Sequence, residues 1–215
     1  MDLPDSDIAC AAKELVFDVS PAFVANHSLR SYLFARELAA AKGLHRDDDY
    51  DDELVFLSCI LHDLGVTDYA NGDQRFEVDG ADAAARFLRD QGVQEERVIT
   101  VWQAIALHTS VGVAHRFGLV HAVTHLGIGT DIVGTDRDML PPGFADRVHA
   151  SWPRHDLGYA LAEVIARHVE HNPAKGPPLT FPGQLHQLMY PTTPVVTWFD
   201  VVGAAGWEDQ PRVDR

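Results

Sequence analysis

Cysteine is scarce in this 215-residue chain, which has two, Cys10 and Cys59. Two thiols build no disulfide framework, and without clustered cysteines a zinc-finger spacing is excluded. Cys59 stands inside an apolar run and reads as a buried, reduced thiol. Positive charge is also in short supply: 17 Lys and Arg against 32 Asp and Glu, a formal net charge of −15. A nucleic-acid backbone or an anionic membrane would want a basic face, so neither is expected as a partner. Uninterrupted apolar runs stop short of the roughly 20 residues that cross a bilayer. The opening Met1-Asp2-Leu3-Pro4-Asp5 is acidic and lacks the basic, then apolar, layout of a signal peptide, so a soluble, cytoplasmic protein is expected. Phosphate-cradling glycine loops, nucleophile elbows, dinucleotide fingerprints and internal repeats are missing. Strand signals are nearly absent too, with Pro194-Val195-Val196-Thr197-Trp198-Phe199 as the one candidate.

Helical spacing fills most of the rest. Apolar content is 46%, ordinary for a globular chain, and this length suits one large core better than two thin ones. Phe23, Leu29, Leu33, Phe34 and Leu38 predict a helix between Pro21 and Lys42, stopped by Gly43. After an acidic turn from Arg46 to Asp52, Leu54, Leu57, Ile60 and Leu61 predict another, ending at His62-Asp63-Leu64 with Gly65 as a left-handed cap. A loop over 66–76 precedes helical stretches at Glu77–Arg89, Gln94–His108 and Phe117–Val133. A short helix follows Pro141-Pro142, and a longer one is expected from Asp156 to Glu170. The proline-rich remainder reads as irregular around one short helix near Phe181–Met189. The fold class is therefore all-α: a metal-binding helical domain over 1–172 and a Pro-rich, largely irregular C-terminal extension over 173–215. The extension packs on the domain or on a partner subunit, which leaves a homo-oligomer open.

Chemistry is concentrated at His62-Asp63, which closes an apolar helical run. Burying a carboxylate without a partner costs several kcal/mol, roughly, so something must neutralise Asp63. A divalent metal does so economically. With His27 upstream and Asp131 downstream, two imidazoles and two carboxylates make a ligand set suited to zinc, iron or manganese. Separate helices carry the three segments, as in sites assembled inside helical bundles.

Three stretches carry a resemblance. They are Asn26-His27-Ser28-Leu29-Arg30-Ser31-Tyr32, Ile60-Leu61-His62-Asp63-Leu64-Gly65 and Gly129-Thr130-Asp131-Ile132-Val133-Gly134. In this order they resemble the split His…His-Asp…Asp motif of the HD-domain superfamily, an all-α fold. The resemblance implies His27, His62, Asp63 and Asp131 as metal ligands. Two-metal members carry a further histidine four residues before a Gly-Ala pair; here Gly80-Ala81 is preceded at that distance by Phe76. The departure favours one metal, for which Zn2+ is expected and Fe2+, Mn2+ or Ni2+ remain open, and it argues against a di-iron oxygenase. Arg75-Phe76-Glu77-Val78-Asp79-Gly80-Ala81 and the first and last segments look like the cyanamide hydratase-like branch. That likeness implies zinc-dependent addition of water across a carbon–nitrogen triple bond, giving urea.

Such chemistry needs an open metal position that acidifies water, and a group to carry a proton to nitrogen. His108 and Glu77 are the catalytic candidates: an imidazole titrates near neutrality, and burial could raise a carboxyl. Asn26, Thr109 and Arg30 are candidates for binding a small-molecule substrate. The plain alternatives are a helix-end imidazole for His108, a solvated carboxylate for Glu77 and a helix cap for Asn26. A phosphohydrolase is the rival enzyme, with Arg30 as its phosphate contact, but no basic cluster adjoins the motif. A structural metal site in an interaction module is the non-enzymatic alternative. His121 and His125 are spaced to share a helix face, yet lack the Glu of a His-Glu-x-x-His site.

Overall fold

Helix α2 (Ala22–Ala41) is buried on every side between Val24 and Ala35, the signature of a central helix rather than a surface one. Its buried set includes the polar side chains of Asn26, His27, Ser28, Arg30 and Ser31, which must find partners inside the protein. Helix α6 (Leu119–Val133) lies against it at Gly127. A Cβ there would stand 2.2 Å from the Ser31 carbonyl oxygen, so only glycine permits this approach. The same contact draws His27 and Asp131 together from opposite helices.

Helix α3 (Asp52–Leu61) packs on both. Asp51 caps it by accepting from the Leu54 N–H at 2.9 Å, and its unbroken Val55–Leu61 run is fully buried. The chain then turns through a 3-10 segment, Leu64–Val66. Gly65 is not the left-handed cap expected from the sequence: its φ is not among the positive ones. Its hydrogen instead faces the start of α4 (Phe76–Asp90), where a Cβ would fall 1.9 Å from the Phe76 carbonyl oxygen. Close approach, not chirality, requires glycine here, and it presses the His62-Asp63 turn onto α4. Helix α5 (Glu95–Ala106) pairs with α4 and delivers His108 just past its end. Gly134, at φ 75°, does take the left-handed cap after α6.

Helix α1 (Asp7–Val19), capped by Ser6, buries Ala9, Ala12 and Val16 and packs on α3. Helices α7 (Phe144–Ser151) and α8 (Leu157–His171) follow a loop that begins at Gly134. The structure, a computed structural model, describes residues 2–207, 209 and 210. It divides into two compact units, one ending at Leu161 and one starting at Ala162, inside α8. In the second unit α9 (Phe181–Met189) occupies the stretch read from the sequence as a short helix. The stretch read as a candidate strand instead leads into α10 (Trp198–Ala204). Thr197 and Asp200 form a reciprocal capping box that commits the segment to a helix start. Among the described residues there are ten α-helices and no strand, and no helix is long and apolar enough to cross a membrane. The all-α class stands.

Candidate metal centre

Three ligand atoms converge where α2 meets the end of α3. His27 Nε2 and His62 Nε2 are 3.1 Å apart, and Asp63 Oδ2 lies 3.2 Å from the second and 3.6 Å from the first. All three residues are buried. Their protonation follows from their other contacts. His62 Nδ1 faces the Cys59 carbonyl at 2.7 Å, and His27 Nδ1 faces Asp131 Oδ2 at 2.7 Å. Both partners only accept, so each Nδ1 carries a hydrogen and each Nε2 turns inward, as a lone pair whenever the ring is neutral. Asp63 Oδ2 is buried without a hydrogen-bond partner.

Two lone pairs and a carboxylate oxygen meeting in the interior demand a positive charge. The separations of 3.1–3.6 Å bracket the edge of a tetrahedron around an ion bonded at about 2.0–2.1 Å, roughly 3.3–3.4 Å. The residues therefore fit a divalent metal. Charge balance points the same way. Burial works against a charge on His62, yet Asp63 raises its pKa. Burial works against the Asp63 charge as well, and His62 and His27 hold that carboxyl well below the usual range. His27, buried beside His62, is shifted down.

The third segment lies outside the converging set. Asp131, implied as a fourth ligand by the resemblance, spends its oxygens elsewhere. Oδ2 accepts from His27 Nδ1 and from Arg30 Nη2, each at 2.7 Å. Oδ1 accepts from Arg30 Nε at 2.9 Å and Arg154 Nη1 at 2.8 Å. Burial would raise this carboxyl, but the bonds from His27 and Arg30 hold it well below the ordinary range. A carboxylate behind a metal-facing imidazole fixes its tautomer and orientation.

Arg30 is equally committed. Beyond Asp131, its Nη1 donates to the carbonyls of Trp152 and Pro153, both at 3.0 Å, and its side chain is fully buried. It is thus a tether and not the substrate contact expected from the sequence. Asn26 joins it, donating to Pro153 O at 3.0 Å. Arg154 was not singled out in the sequence. It lies twenty residues past the last motif segment, in an irregular Trp152–Asp156 strap without helical spacing to mark it.

His108 stands on the other side. Its Nδ1 is 2.6 Å from the Ile105 carbonyl, so in the neutral ring Nε2 carries the lone pair, 3.9 Å from Asp63 Oδ1. Its ring edges against His62 and Phe76. Phe76, the residue at the place of a second-metal histidine, thus packs apolar surface on His108. Burial, with His62 nearby, lowers the His108 pKa to about 4. Glu77 is wholly buried rather than solvated. It accepts from Thr109 Oγ1 at 2.6 Å and pairs with Arg75 Nη2 at 2.5 Å. Thr109 is therefore bound to Glu77, and the pair pins the turn that carries His108. Of the i,i+4 histidines, His125 Nδ1 meets the His108 carbonyl at 2.8 Å. His121 is buried with neither ring nitrogen bonded.

The HD-domain family profile matches residues 24–140, a span enclosing all of these donors. The chain belongs to the HD-domain family. Over 168 residues this HD domain is 26% identical to the cyanamide hydratases DDI2 and DDI3 of Saccharomyces cerevisiae. The match covers 75% of the chain and 72% of each yeast protein. Family and donor cluster together support a metal-dependent enzyme of hydrolase or hydratase type.

Proposed function

We propose that this HD domain hydrates a small, neutral nitrile-like molecule, cyanamide being the specific candidate, with one divalent ion held by His27, His62 and Asp63. The observation that carries the reading is the convergence of two imidazole nitrogens and a carboxylate oxygen at tetrahedral-edge separations. A bound ion of the zinc type would supply Lewis acidity and make water acidic near neutral pH. Asp131 orients His27 from behind, and Arg30 and Arg154 hold Asp131.

Hydration of a carbon–nitrogen triple bond consumes one water and expels nothing. The residues need only take a proton from the attacking oxygen and return one to the nitrogen. His108 Nε2 is placed for this transfer: its Nδ1–H is fixed on Ile105, and its lone pair faces the Asp63 side of the site. A pKa held near 4 keeps that nitrogen unprotonated and able to accept at neutral pH. Glu77, bridging Arg75 and Thr109, positions the His108 turn and is not itself the proton carrier. The burial of all these groups excludes bulk water, which suits a substrate of few atoms.

The neutral substrate is favoured over a phosphate ester by the fate of the arginines. Arg30 is consumed by Asp131 and the 152–153 carbonyls, and Arg75 by Glu77. The test is metal analysis of the purified chain, paired with urea release from cyanamide. One equivalent of metal with urea formed is the expected result. Metal without urea, and phosphate released from nucleotides instead, would replace the hydratase reading with the phosphohydrolase one.

A further inference from the structure

A cavity of about 610 Å³ opens between the C-terminal end of α6, the loop after Gly134 and α7. Its volume falls in the range of small-molecule sites. Asp131 and Arg154 line it, while His27, His62, Asp63 and His108 do not. The Asp131 carboxylate, saturated by Arg30, Arg154 and His27, stands between this space and the metal donors.

Its lining combines cationic and apolar side chains. Arg137 lines it, is exposed, and has no salt-bridge or hydrogen-bond partner for its guanidinium among the described residues. Arg154 commits Nη1 to Asp131, which leaves its other nitrogens available. His149 lines the cavity as well, with its buried Nε2 turned toward Asp131 Oδ1 at 3.7 Å. Helix α7 begins at Gly143 with no side-chain cap, so its first-turn N–H groups add partial positive charge. Asp146 is the one free carboxylate in the lining. Phe34, Val133 and Leu140 add apolar surface to the same lining. In a chain of net charge −15, two arginines converging on one cavity from separate segments are not a product of composition.

We infer that this cavity binds a small organic carboxylate, its oxygens on Arg137 and Arg154 and its apolar body against Phe34 and Leu140. The forked guanidinium geometry matches a carboxylate, and the apolar surface selects against a bare inorganic ion. The site does not rest on the hydratase reading: Arg137, the contact varied in its test, takes no part in the metal centre.

The experiment is a benzoate titration of the full-length chain, followed by amide NMR and repeated after metal removal by a chelator. Inorganic phosphate is the second probe. Saturable shifts at Gly134, Gly143 and Ala145 are expected, unchanged by the chelator, with benzoate binding more tightly than phosphate. Arg137→Ala should weaken benzoate by about tenfold or more, the ordinary loss of a charge-assisted contact. Arg137→Glu should abolish binding while leaving the metal content unchanged. Shifts that vanish with the metal would place the anion at the metal centre and overturn the assignment. Equal affinity in Arg137→Ala, or phosphate binding as tightly as benzoate, would overturn it as well.

Discussion

Asp63 and Asp131 are both buried carboxylates beside His27, but they touch opposite faces of its ring, and that difference can be measured. Asp63 faces Nε2, where the donors converge; Asp131 holds Nδ1. Asp63→Ala is expected to abolish stoichiometric metal. Asp131→Asn and Arg154→Ala should leave the donors present but loosen the ion by about 10–100-fold, the usual effect of disturbing the groups behind a ligand. Competition with a graded series of chelators reads this directly, and equal loss in Asp63→Ala and Asp131→Asn would make Asp131 a ligand. His108 gives a second contrast. With metal retained, His108→Ala should lower turnover by roughly 10²–10⁴-fold, and an unchanged rate would reduce it to a packing residue. The His-Asp pair, His27 and His108 were legible in the sequence because each sits at the end of, or within, an apolar helical pattern. The commitment of Arg30, Asn26 and Thr109 to internal partners was not legible. It depends on the Trp152–Asp156 strap and the Glu77 turn, whose positions no local pattern encodes.

Helices α4 to α6 follow from apolar spacing because each buries one face at intervals of three to four residues, whereas α2 and α3, buried nearly all round, follow from the density of their apolar residues. Helix α10 was missed since its Val-Val-Thr-Trp-Phe approach has the composition of a strand. The Thr197–Asp200 box, a signal only two residues wide at its contacts, overrides it. Gly65 shows the same limit: glycine after a helix reads equally as a left-handed cap or a point of close approach, and only the packing of α4 distinguishes them. The distinction has a consequence for substitution. In Gly65→Ala the new methyl would meet the Phe76 carbonyl oxygen at 1.9 Å and the Gly80 nitrogen at 2.8 Å. Neither is a flexible side chain that can step aside, so the His62-Asp63 turn or α4 must shift. A destabilisation of about 1–3 kcal/mol or more is expected, with weaker metal binding. Gly158, in the first turn of α8, has open space at its Cβ position and an ordinary φ. Gly158→Ala should therefore stabilise by about 0.4–1 kcal/mol. Urea midpoints of the two variants, compared at equal slope, check both signs, and a silent Gly65→Ala would refute the close-approach account.

At the scale of the whole molecule, the interior of this acidic protein is organised around a charge it must import. The buried Asp63 carboxylate is balanced either by a proton on His62 or by a bound cation, so metal and proton compete for the same space. Loading is expected to weaken on acidification as the ligands regain protons. The metal-free protein exposes a second pH effect through His108. Its pKa is about 4 in the folded chain, against about 6.5 when unfolded. Above that unfolded value neither state binds the proton, and the group contributes no pH dependence. Between roughly pH 6.5 and 4 the unfolded chain takes up a proton that the folded chain refuses, so stability falls with falling pH. Below about 4 both states are protonated and the loss levels off, at about 3 kcal/mol in total. His62, shifted upward by Asp63, works in the opposite sense but above about pH 6.5, while His27, shifted down by burial, adds to the loss below it, so the native profile alone does not isolate His108. His108→Gln isolates it, because the variant keeps His62 and removes only the refused proton. Denaturation of metal-free native protein and variant at pH 7, 5.5 and 4.5 should show the difference moving steadily in favour of the variant. Parallel profiles would mean that the His108 imidazole takes up its proton in the folded protein as readily as in the unfolded chain, and so is not held neutral by its burial.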